Sequence, residues 1–378
     1  MHIRKLSVIN YKNIAQAELT LSPKLNCFIG NNGVGKTNLL DAIYFLSFCK
    51  SYFNTVEDQN IRHGQEFFVL DGQYLRNNEE ERIYCGLKRN QKKQFRRNKK
   101  AYKKLSEHIG MFPLVMISPA DVDLIMGGSE DRRKFIDGVI SQFNRQYLEW
   151  LLRYNRALLQ RNNLLKHFAG TQTFDYDSLV IWDEQLVQLG ERIYQKRKEF
   201  LEKFMPIFQK YYEFISLGYE KVQLEYQSQL NSQPLGEMLK EALPKDRIIQ
   251  RTSAGIHKDD LVLKIGDYPI KKIGSQGQKK TYLVALKLAQ FDFMKEVNGL
   301  RPILLLDDIF DKLDGIRVKQ IIKLVADQNF GQIFISDTNR ENLDLIFPEV
   351  ETDYKIFKIA DGKVEAELNN NINISELL

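Results

Sequence analysis

The first hundred residues combine strand-like and helix-like patterns of apolar positions. Apolar and polar residues alternate over residues 3–10, which predicts a β-strand, and the apolar run LNCFIG at residues 25–30 predicts a short buried strand. The stretch TNLLDAIYFLSFC at residues 37–49 has its apolar residues at helical spacing. The pattern therefore predicts an α/β core that begins at the start of the sequence.

The middle of the chain has a different pattern. Long amphipathic runs extend from Ser129, a candidate helix N-cap, to about Leu217, and they predict a helical lobe. One helix face in this stretch is predicted to lie in the core instead of stacking on bases, and its residues are Phe143, Tyr147, Trp150, Leu151 and Tyr154.

A β-α-β-α-β order returns towards the end of the sequence. Strand-like LVLKIGDYPIK is followed by a helical run, by the buried-strand run ILLLDD, by a second helix and by the strand QIFIS. We therefore predict an α/β fold, a mixed sheet with flanking helices, that is split by a helical insertion. The predicted boundaries are 1–117 and 251–378 for the two parts of the α/β domain and 118–250 for the helical lobe.

Composition excludes several classes of protein. At 378 residues, 43% apolar and 28% charged, the chain is neither a disordered polymer nor a disulfide scaffold. It has no apolar run long enough to span a membrane, and its N-terminus MHIRKLSVINYKN does not resemble a secretory signal. The expectation is a soluble cytoplasmic protein with no membrane partner, whose three cysteines, Cys27, Cys49 and Cys85, are reduced core residues.

The positive charge is concentrated in one segment. Residues 88–104 contain ten Lys or Arg and no acid, whereas the rest of the chain carries 45 basic and 49 acidic groups. This segment predicts two short strands about a turn at Asn98–Lys99, anchored by Phe95 and Tyr102. Two interpretations stay open: a hairpin that simply faces water, or a contact with the DNA backbone. The candidate DNA contacts are Lys92, Lys93, Arg96 and Arg97.

A phosphate-binding motif joins the strand LNCFI to the helix that follows it. The sequence GNNGVGKT fits GxxxxGK[ST] at every fixed position. Backbone N–H groups of such a loop surround phosphates, the lysine reaches the β,γ-oxygens, and the threonine can bind Mg²⁺. The candidate ATP-binding residues are Gly30, Asn31, Asn32, Gly33, Val34, Gly35, Lys36 and Thr37.

Two later motifs fit the same chemistry. The strand ILLLDD ends in Asp307, a candidate Mg²⁺ ligand with Thr37, and in Asp308, a candidate general base. Without other evidence, acids at the end of a strand could equally be capping or solvated residues with no role in catalysis. The loop GSQGQKK at residues 274–280 directly precedes the helical run TYLVALKLAQF. It suits a helix N-terminus that meets phosphate, although a flexible Gly/Ser loop would look similar.

The order of these motifs resembles the ABC-type head ATPases, and finer segments resemble the RecF family of bacterial recombination proteins. The segments that carry this resemblance are NYKN at 10–13, ISPAD at 117–121, GGSEDRRKFID at 127–137, GIHKDDL at 255–261, SQGQKKT and LLLDDIFDKLD. The resemblance implies that Lys12 and Asn38 also contact the nucleotide, that Asp314 belongs to a D-loop, and that Thr338 lies in a switch near the γ-phosphate. It further implies a signature motif formed by Ser275, Gln276, Gly277 and Gln278.

Three positions depart from the related ATPases. Pro119 stands where a Q-loop glutamine is usual, so that its role passes to another group such as Asp121. Phe53 stands where many relatives have arginine, and Asp308 is one methylene shorter than the usual glutamate, as is typical of the RecF family. Slow ATP hydrolysis is expected.

The resemblance also implies a use. Two heads would sandwich two ATP molecules, each held by the P-loop of one chain and the signature loop of the other, and the homodimer would clamp double-stranded DNA near single-strand gaps. RecF-family proteins act with RecO and RecR to load RecA recombinase in DNA repair, replication and the SOS response. The alternatives are a head of another SMC-like protein, a transporter ATPase, and an ATP-gated DNA clamp with negligible turnover.

Overall fold

The fold is described from a computed structural model of the chain. The structure describes residues 1–218, 220–310, 313, 315–326, 330–338 and 353–369. They form two compact units. The first contains Met1–Asp121, Phe214–Gly218 and the described residues of Gln276–Leu378, and the second contains Val122–Glu213 and the described residues of Tyr219–Ser275.

The strands are numbered in chain order. They are β1 (His2–Tyr11), β2 (Ile14–Thr20), β3 (Leu25–Ile29), β4 (Phe67–Arg76), β5 (Glu79–Lys88), β6 (Gln94–Arg97), β7 (Lys100–Ala101), β8 (Leu114–Ile117), β9 (Val222–Gln227), β10 (Asp260–Ile265), β11 (Tyr268–Pro269), β12 (Ile303–Asp307), β13 (Ile333–Asp337), β14 (Tyr354–Ala360) and β15 (Lys363–Asn369).

The α-helices are numbered in the same way. They are α1 (Lys36–Phe48), α2 (Val122–Met126), α3 (Ser129–Phe143), α4 (Arg145–Thr171), α5 (Tyr176–Ser216), α6 (Leu235–Ile249), α7 (Ile270–Ile273), α8 (Gln276–Asn298) and α9 (Gly315–Ala326). Within the part of the chain that the structure describes, no helix has the length and apolar character that crossing a membrane requires.

The first unit contains two six-stranded sheets. One is antiparallel, with the order β2-β1-β4-β5-β6-β7. The other has the order β15-β14-β3-β13-β12-β8, in which all neighbours are parallel except the β14–β15 pair. The parallel pairing places the carboxyl ends of β3, β12 and β13 at one edge, which is where ligands of such sheets bind.

Helix α1 packs against strands of both sheets. Its apolar residues, Leu39, Leu40, Ala42, Ile43, Phe45 and Leu46, are at most 1% exposed. Burying a side chain of this size contributes about 1.5–3 kcal/mol. The helix that begins at the P-loop lysine is therefore anchored in the main core of the unit, which fixes the loop before it.

The second unit is mostly helical, with the small antiparallel sheet β11-β10-β9 beside it. Helix α3 packs on β10, and α4 packs on both α3 and α6. The compact unit continues to Ser275, beyond the expected limit at 250, because β10 pairs with β9 along its whole length.

Arginines buried in the second unit bind aspartates that are far apart in sequence. Arg161 donates to Asp183 Oδ1 at 2.5 Å and to Asp246 Oδ2 at 2.7 Å. Arg197 donates to Asp259 Oδ2 at 3.0 Å and to both oxygens of Asp137 at 3.0 Å. These bonds connect helices α3, α4, α5 and α6 with the loop before β10.

The structure bears out several local predictions and corrects one. All three cysteines are free and buried. Tyr147 and Tyr154 on the predicted aromatic face of α4 are at most 1% exposed. The N-cap of α3, however, is Gly128 and not Ser129: Ser129 is already helical, and the Gly128 N–H donates to Asp131 Oδ2 at 3.3 Å. A carboxylate from the first turn satisfies the helix end without a side-chain cap.

We predict that Arg161→Ala lowers the free energy of unfolding of the second unit by about 3–5 kcal/mol, because it leaves two aspartates without their counterion. Both tryptophans, Trp150 and Trp182, lie in this unit, so tryptophan fluorescence during urea unfolding reports on it. The control is Arg145→Ala, which breaks an exposed pair with Glu149 and should change stability by less than about 0.5 kcal/mol. Equal effects of the two variants would show that the buried pairs contribute no more than surface ones.

Candidate functional site

The loop between β3 and α1 depends on glycines at three positions. Gly30, Gly33 and Gly35 have φ angles of 151°, 80° and 115°, values that residues with a side chain rarely adopt. A Cβ on Gly30 would lie 2.3 Å from the Ile359 carbonyl oxygen, and one on Gly35 would lie 2.8 Å from Asn13 Oδ1. A side chain would clash at Gly30 and Gly35, and the positive φ favours glycine at Gly33 as well.

Asn13 holds this loop from the neighbouring hairpin. Its Nδ2 donates to the Gly33 carbonyl oxygen at 2.9 Å, and its Oδ1 accepts a hydrogen bond from Asn38 Nδ2 at 2.7 Å. Asn38, a predicted nucleotide contact, is thus engaged with Asn13 and helps to fix the loop. The backbone N–H groups of the loop are preorganised before any ligand arrives.

Lys36 folds back over the loop that precedes it. Its Nζ donates to the carbonyl oxygens of Gly30 at 2.7 Å and Asn31 at 2.9 Å, and the residue is only 6% exposed. Burial lowers the pKa of Lys36, and the charges of Asp308, Asp307 and Asp337 oppose this shift. A phosphate oxygen entering the loop can replace these carbonyls as the acceptor for the ammonium group.

Asp307 connects three separate segments at the carboxyl edge of the parallel sheet. Its Oδ1 accepts hydrogen bonds from Thr37 Oγ1 at 2.9 Å and from Ser336 Oγ at 2.6 Å. Asp307 and Ser336 are register partners on β12 and β13. Burial raises the pKa of Asp307, although both hydrogen bonds favour its charged form.

The same atoms provide the donor set that a magnesium ion needs. A hydroxyl and a carboxylate oxygen within 2.9 Å of each other are hard ligands, and Mg²⁺ is usually held by one or two such groups together with phosphates and water. Thr37 and Asp307 therefore fit Mg²⁺. Among the described residues no cluster of three or more His, Cys, Asp or Glu side chains offers an all-protein metal site.

Asp308 adopts an unusual backbone conformation directly after the strand. Its φ is 51°, its N–H donates to the Ser336 carbonyl oxygen at 3.2 Å, and its carbonyl accepts from Lys280 Nζ at 3.4 Å. A non-glycine residue in the left-handed region often marks a functional site. Thr338 lies exposed just beyond β13, and Asp314 falls outside the described residues.

Lys12 is not directed at the loop but at an aspartate of α1. Its Nζ lies 2.6 Å from Asp41 Oδ2 and 5.1 Å from the centre of the Phe53 ring. Asp41 also accepts hydrogen bonds from Tyr11 and Ser51. Sequence reasoning missed Asp41, and the available signal was one acid within the otherwise apolar run LLDAIYFL.

A cavity of about 760 Å³ opens beside Asn13, and the sequence did not indicate it. It has room for a nucleoside. Its lining residues are Lys12, Asn13, Asp58, Gln59, Ile61, Arg62, His63 and Arg89.

Asp121, the candidate for the missing glutamine, belongs to a buried network. Its carboxylate accepts from the Ser118 N–H at 2.8 Å, from Tyr52 OH, and from Lys287 Nζ at 2.7 Å. Lys287 lies on α8, the helix that begins at the predicted signature motif. Asp121 is therefore joined to that helix by a charge pair.

The predicted signature residues lie at the start of α8. Ser275 and Gln276 are exposed, and Gln276 is the first helical residue, followed by Gly277 and Gln278 in the first turn. A Cβ on Gly277 would come within 2.7 Å of the Arg317 guanidinium, so a larger residue there would require Arg317 to move.

The basic hairpin forms as predicted, but its four candidate DNA contacts divide into two pairs. The turn residues Asn98 and Lys99 have φ values of 48° and 69°, and Phe95 is buried. Lys93 donates to the Cys49 carbonyl oxygen at 2.7 Å and pairs with Glu57.

Arg97 pairs with Glu81, whereas Lys92 and Arg96 are exposed. Lys93 and Arg97 thus neutralise acids of the same unit, whereas Lys92 and Arg96 extend into solvent. A DNA contact by any of the four stays a prediction.

This arrangement of a P-loop, an acid-tipped parallel strand and a helix-start loop defines an ABC/SMC-type P-loop ATPase head. A family model described as "RecF/RecN/SMC N terminal domain" matches residues 2–364. In fold, the chain is similar to an Smc head bound to the C-winged helix domain of ScpA, with a TM-score of 0.59 at 15% identity over all of both chains.

More similar proteins narrow this class. The "DNA replication and repair protein RecF" of Phocaeicola vulgatus is 56% identical over 96% of this chain and 98% of its own, and that of Flavobacterium johnsoniae is 54% identical over 95% and 100%. A solved structure of the recombination mediator protein RecF with ATP in the RecFOR pathway is 32% identical, with a TM-score of 0.87 over 97% of each chain. The chain belongs to the RecF family.

We predict that the two pairs of hairpin cations have different effects. Lys93→Gln with Arg97→Gln should lower the thermal stability of the first unit, because Glu57 and Glu81 lose their partners. Lys92→Gln with Arg96→Gln should leave stability unchanged and reduce the slope of log affinity for duplex DNA against log salt by up to about 2. Thermal unfolding and a salt titration of DNA binding check the two halves. An unchanged salt slope for the second variant would favour a hairpin that only faces water.

Proposed function

We propose that this chain is an ATP-dependent DNA-binding protein of recombinational repair, a recombination mediator of the RecFOR type. The observation that carries this proposal is the preorganised P-loop, closed by Lys36 and joined through Thr37 to Asp307. The relative solved with ATP, which matches this chain over nearly its whole length, supports ATP as the ligand.

The triphosphate would lie over residues 30–37. The backbone N–H groups before α1 and the partial positive charge at the start of that helix favour phosphate, and Lys36 would turn from the Gly30 and Asn31 carbonyls to the β,γ-oxygens. Asn13, which lines the cavity, also binds the Gly33 carbonyl of this loop, and we assign the nucleoside to that cavity.

Thr37 and Asp307 would hold Mg²⁺, which supplies charge neutralisation at the phosphate oxygens when it is bound. Ser336 keeps the Asp307 carboxylate oriented from the adjacent strand. Asp308, held out of the strand by its left-handed backbone, is assigned the role of orienting water and accepting its proton. Its short side chain agrees with slow hydrolysis, and so does the proline at position 119, where related ATPases have glutamine.

We assign dimerisation to ATP binding. Ser275 and Gln276 are exposed at the start of a 23-residue helix, where the N-terminal N–H groups can meet the γ-phosphate of an ATP bound to a second chain. Binding energy shared across such an interface would make the homodimer the ATP-bound state. Gln278, Thr338 and Asp314 are assigned to the same interface by resemblance to the family.

The dimer would clamp double-stranded DNA near junctions with single strands and act with RecO and RecR to load recombinase. The exposed cations Lys92 and Arg96 support a DNA contact on the first unit. A second candidate function is an ATP-gated DNA clamp with negligible turnover, and the short side chain of Asp308 and the proline at position 119 favour it. Measuring phosphate release with and without duplex DNA separates the two, because a clamp of that kind would show no release in either condition.

We predict that Ser275→Arg blocks ATP-induced dimerisation while each chain still binds ATP, because the bulky cation occupies the space that the γ-phosphate needs. Light scattering with ATP, ADP or no nucleotide gives the mass, and a fluorescent nucleotide titration gives the affinity. We expect the parent to double its mass only with ATP.

Ser232→Arg is the matched control, since Ser232 is an exposed serine of the second unit outside every motif. It should dimerise like the parent. A Ser275→Arg protein that still dimerises with ATP and hydrolyses it at the parental rate would leave a monomeric ATPase as the better account.

A further inference from the structure

The stretch from the end of α6 to the first residue of β10 contains most of the GIHKDDL motif, which the proposed ATP site does not use. Residues 245–260 carry four basic and three acidic side chains. All three acids, Asp246, Asp259 and Asp260, are engaged by arginines of helices α4, α5 and α3 respectively. The acids of this segment are therefore neutralised from within the unit.

The basic side chains of the same segment are treated differently. Lys245, Arg251 and Lys258 are exposed, and none of them forms an ion pair within the described ranges of the chain. Arg247 differs from them because it stacks on the Phe174 ring at 4.1 Å. Three cations thus face solvent beside acids that are already paired with arginines.

Arg133 of α3 joins these three cations. Its Nη1 donates to the Asp259 carbonyl oxygen at 2.6 Å, next to Lys258. On the other side, the Arg251 N–H donates to the Asp246 carbonyl oxygen at 3.2 Å, next to Lys245. The four cations therefore flank the two acids whose side chains are fully buried, Asp246 and Asp259. We call Arg133, Lys245, Arg251 and Lys258 the basic cluster.

The backbone under the basic cluster is held firmly. Asp246 accepts hydrogen bonds from the Ser253 N–H at 2.9 Å and its Oγ at 2.6 Å, besides the bond from Arg161. His257 bonds the Thr252 carbonyl oxygen at 3.1 Å and Tyr154 OH at 3.0 Å. A surface fixed in this way loses little conformational entropy when it binds a ligand.

The four charges also disfavour one another. Burial lowers the pKa of Lys258, the positive charges of Arg251, Arg133 and Lys245 lower it further, and the negative charge of Asp246 opposes them. Like charges placed together on a rigid surface are destabilising until a ligand with several negative charges neutralises them. Such repulsion indicates a binding surface more than a structural one.

We infer that the basic cluster binds the phosphate backbone of nucleic acid, as a DNA contact on the second unit separate from the hairpin of the first. This inference rests on the proposed function as a DNA-binding protein. A row of phosphates is favoured over an acidic protein segment because the cluster has two arginines and two lysines and needs several closely spaced anions at once. Arginine and lysine together are the usual residues of phosphate contacts, which position a protein on DNA without reading its sequence.

The test uses the full chain with ATP and a labelled DNA duplex, titrated at salt concentrations from 50 to 200 mM. Arg251→Gln with Lys258→Gln removes two contacts, so the slope of log affinity against log salt should become shallower by about 2, which makes the loss of affinity across this range about tenfold smaller. The affinity for ATP should stay at the parental value, since neither residue lies in the unit that contains the P-loop.

The matched control is Lys196→Gln with Lys203→Gln, which removes two lysine charges from α5 of the same unit without touching the basic cluster. It should keep the parental salt slope. If the control and the cluster variant change the slope equally, the effect is one of net charge and the inference is overturned.

Two further results separate this inference from the proposed function. A parent that binds duplex with the same slope as the cluster variant overturns the basic cluster alone, whereas a parent that binds no duplex with ATP overturns both. Labelled poly-L-glutamate serves as a second probe. If the cluster variant loses binding to poly-L-glutamate while its DNA slope is unchanged, the surface docks acidic protein and the nucleic-acid assignment is wrong.

Discussion

Asp307 accepts hydrogen bonds from a threonine of the first helix and from a serine of the neighbouring strand, and the candidate site is organised around this one carboxylate. The bonds are possible because β3, β12 and β13 are parallel neighbours whose carboxyl ends meet at one edge. A parallel sheet needs long crossovers between its strands. These crossovers explain how Thr37 meets Asp307 and Ser336, although Thr37 and Asp307 are 270 positions apart in the sequence.

Buried ion pairs between acids and bases fix parts of the backbone in both units. In the first unit, the buried Asp41 is paired with Lys12, and the buried Asp121 is paired with Lys287. In the second unit, the buried Arg161 and Arg197 are paired with aspartates. The cations of the basic cluster are not part of these pairs and lie at the surface. Breaking a buried pair by removing one partner is costly, so each pair fixes the backbone that carries it. The fixed backbone in turn presents P-loop N–H groups at one place and uncompensated positive charge at another.

Much of this architecture could be predicted from the sequence because the signals are local. The P-loop requires glycine at positive φ, a strand before it and a helix after it, and all three conditions are readable in eight residues and their flanks. The aspartates that end β12 follow an unbroken apolar run, which is typical of a buried parallel strand. The turn at Asn98–Lys99 was equally clear, since asparagine tolerates the left-handed region.

What the sequence did not reveal depends on long-range contacts. Lys93 and Arg97 look like Lys92 and Arg96 in the basic run, and only tertiary pairing with Glu57 and Glu81 separates them. The extent of the second compact unit likewise depends on long-range contacts, since the pairing of β9 with β10 joins residues more than thirty positions apart. Asp41 was missed because a lone acid in an apolar helix does not indicate its partners.

The most direct test of the account is calorimetric titration of ATP into the parent and into Asp307→Asn, each with Mg²⁺ and with EDTA. We expect the parent and the variant to bind ATP with equal affinity in EDTA. With Mg²⁺ the affinity of the parent should rise by about tenfold or more, which corresponds to about 1.4 kcal/mol, and the variant should lack this gain because it has lost coordination and hydrogen bonding at Asp307. Asp292→Asn, an acid of α8 paired only weakly with Lys295 at 3.8 Å, should behave like the parent. If Asp307→Asn gains as much affinity from Mg²⁺ as the parent does, Asp307 does not hold the metal and the site must be organised around another group.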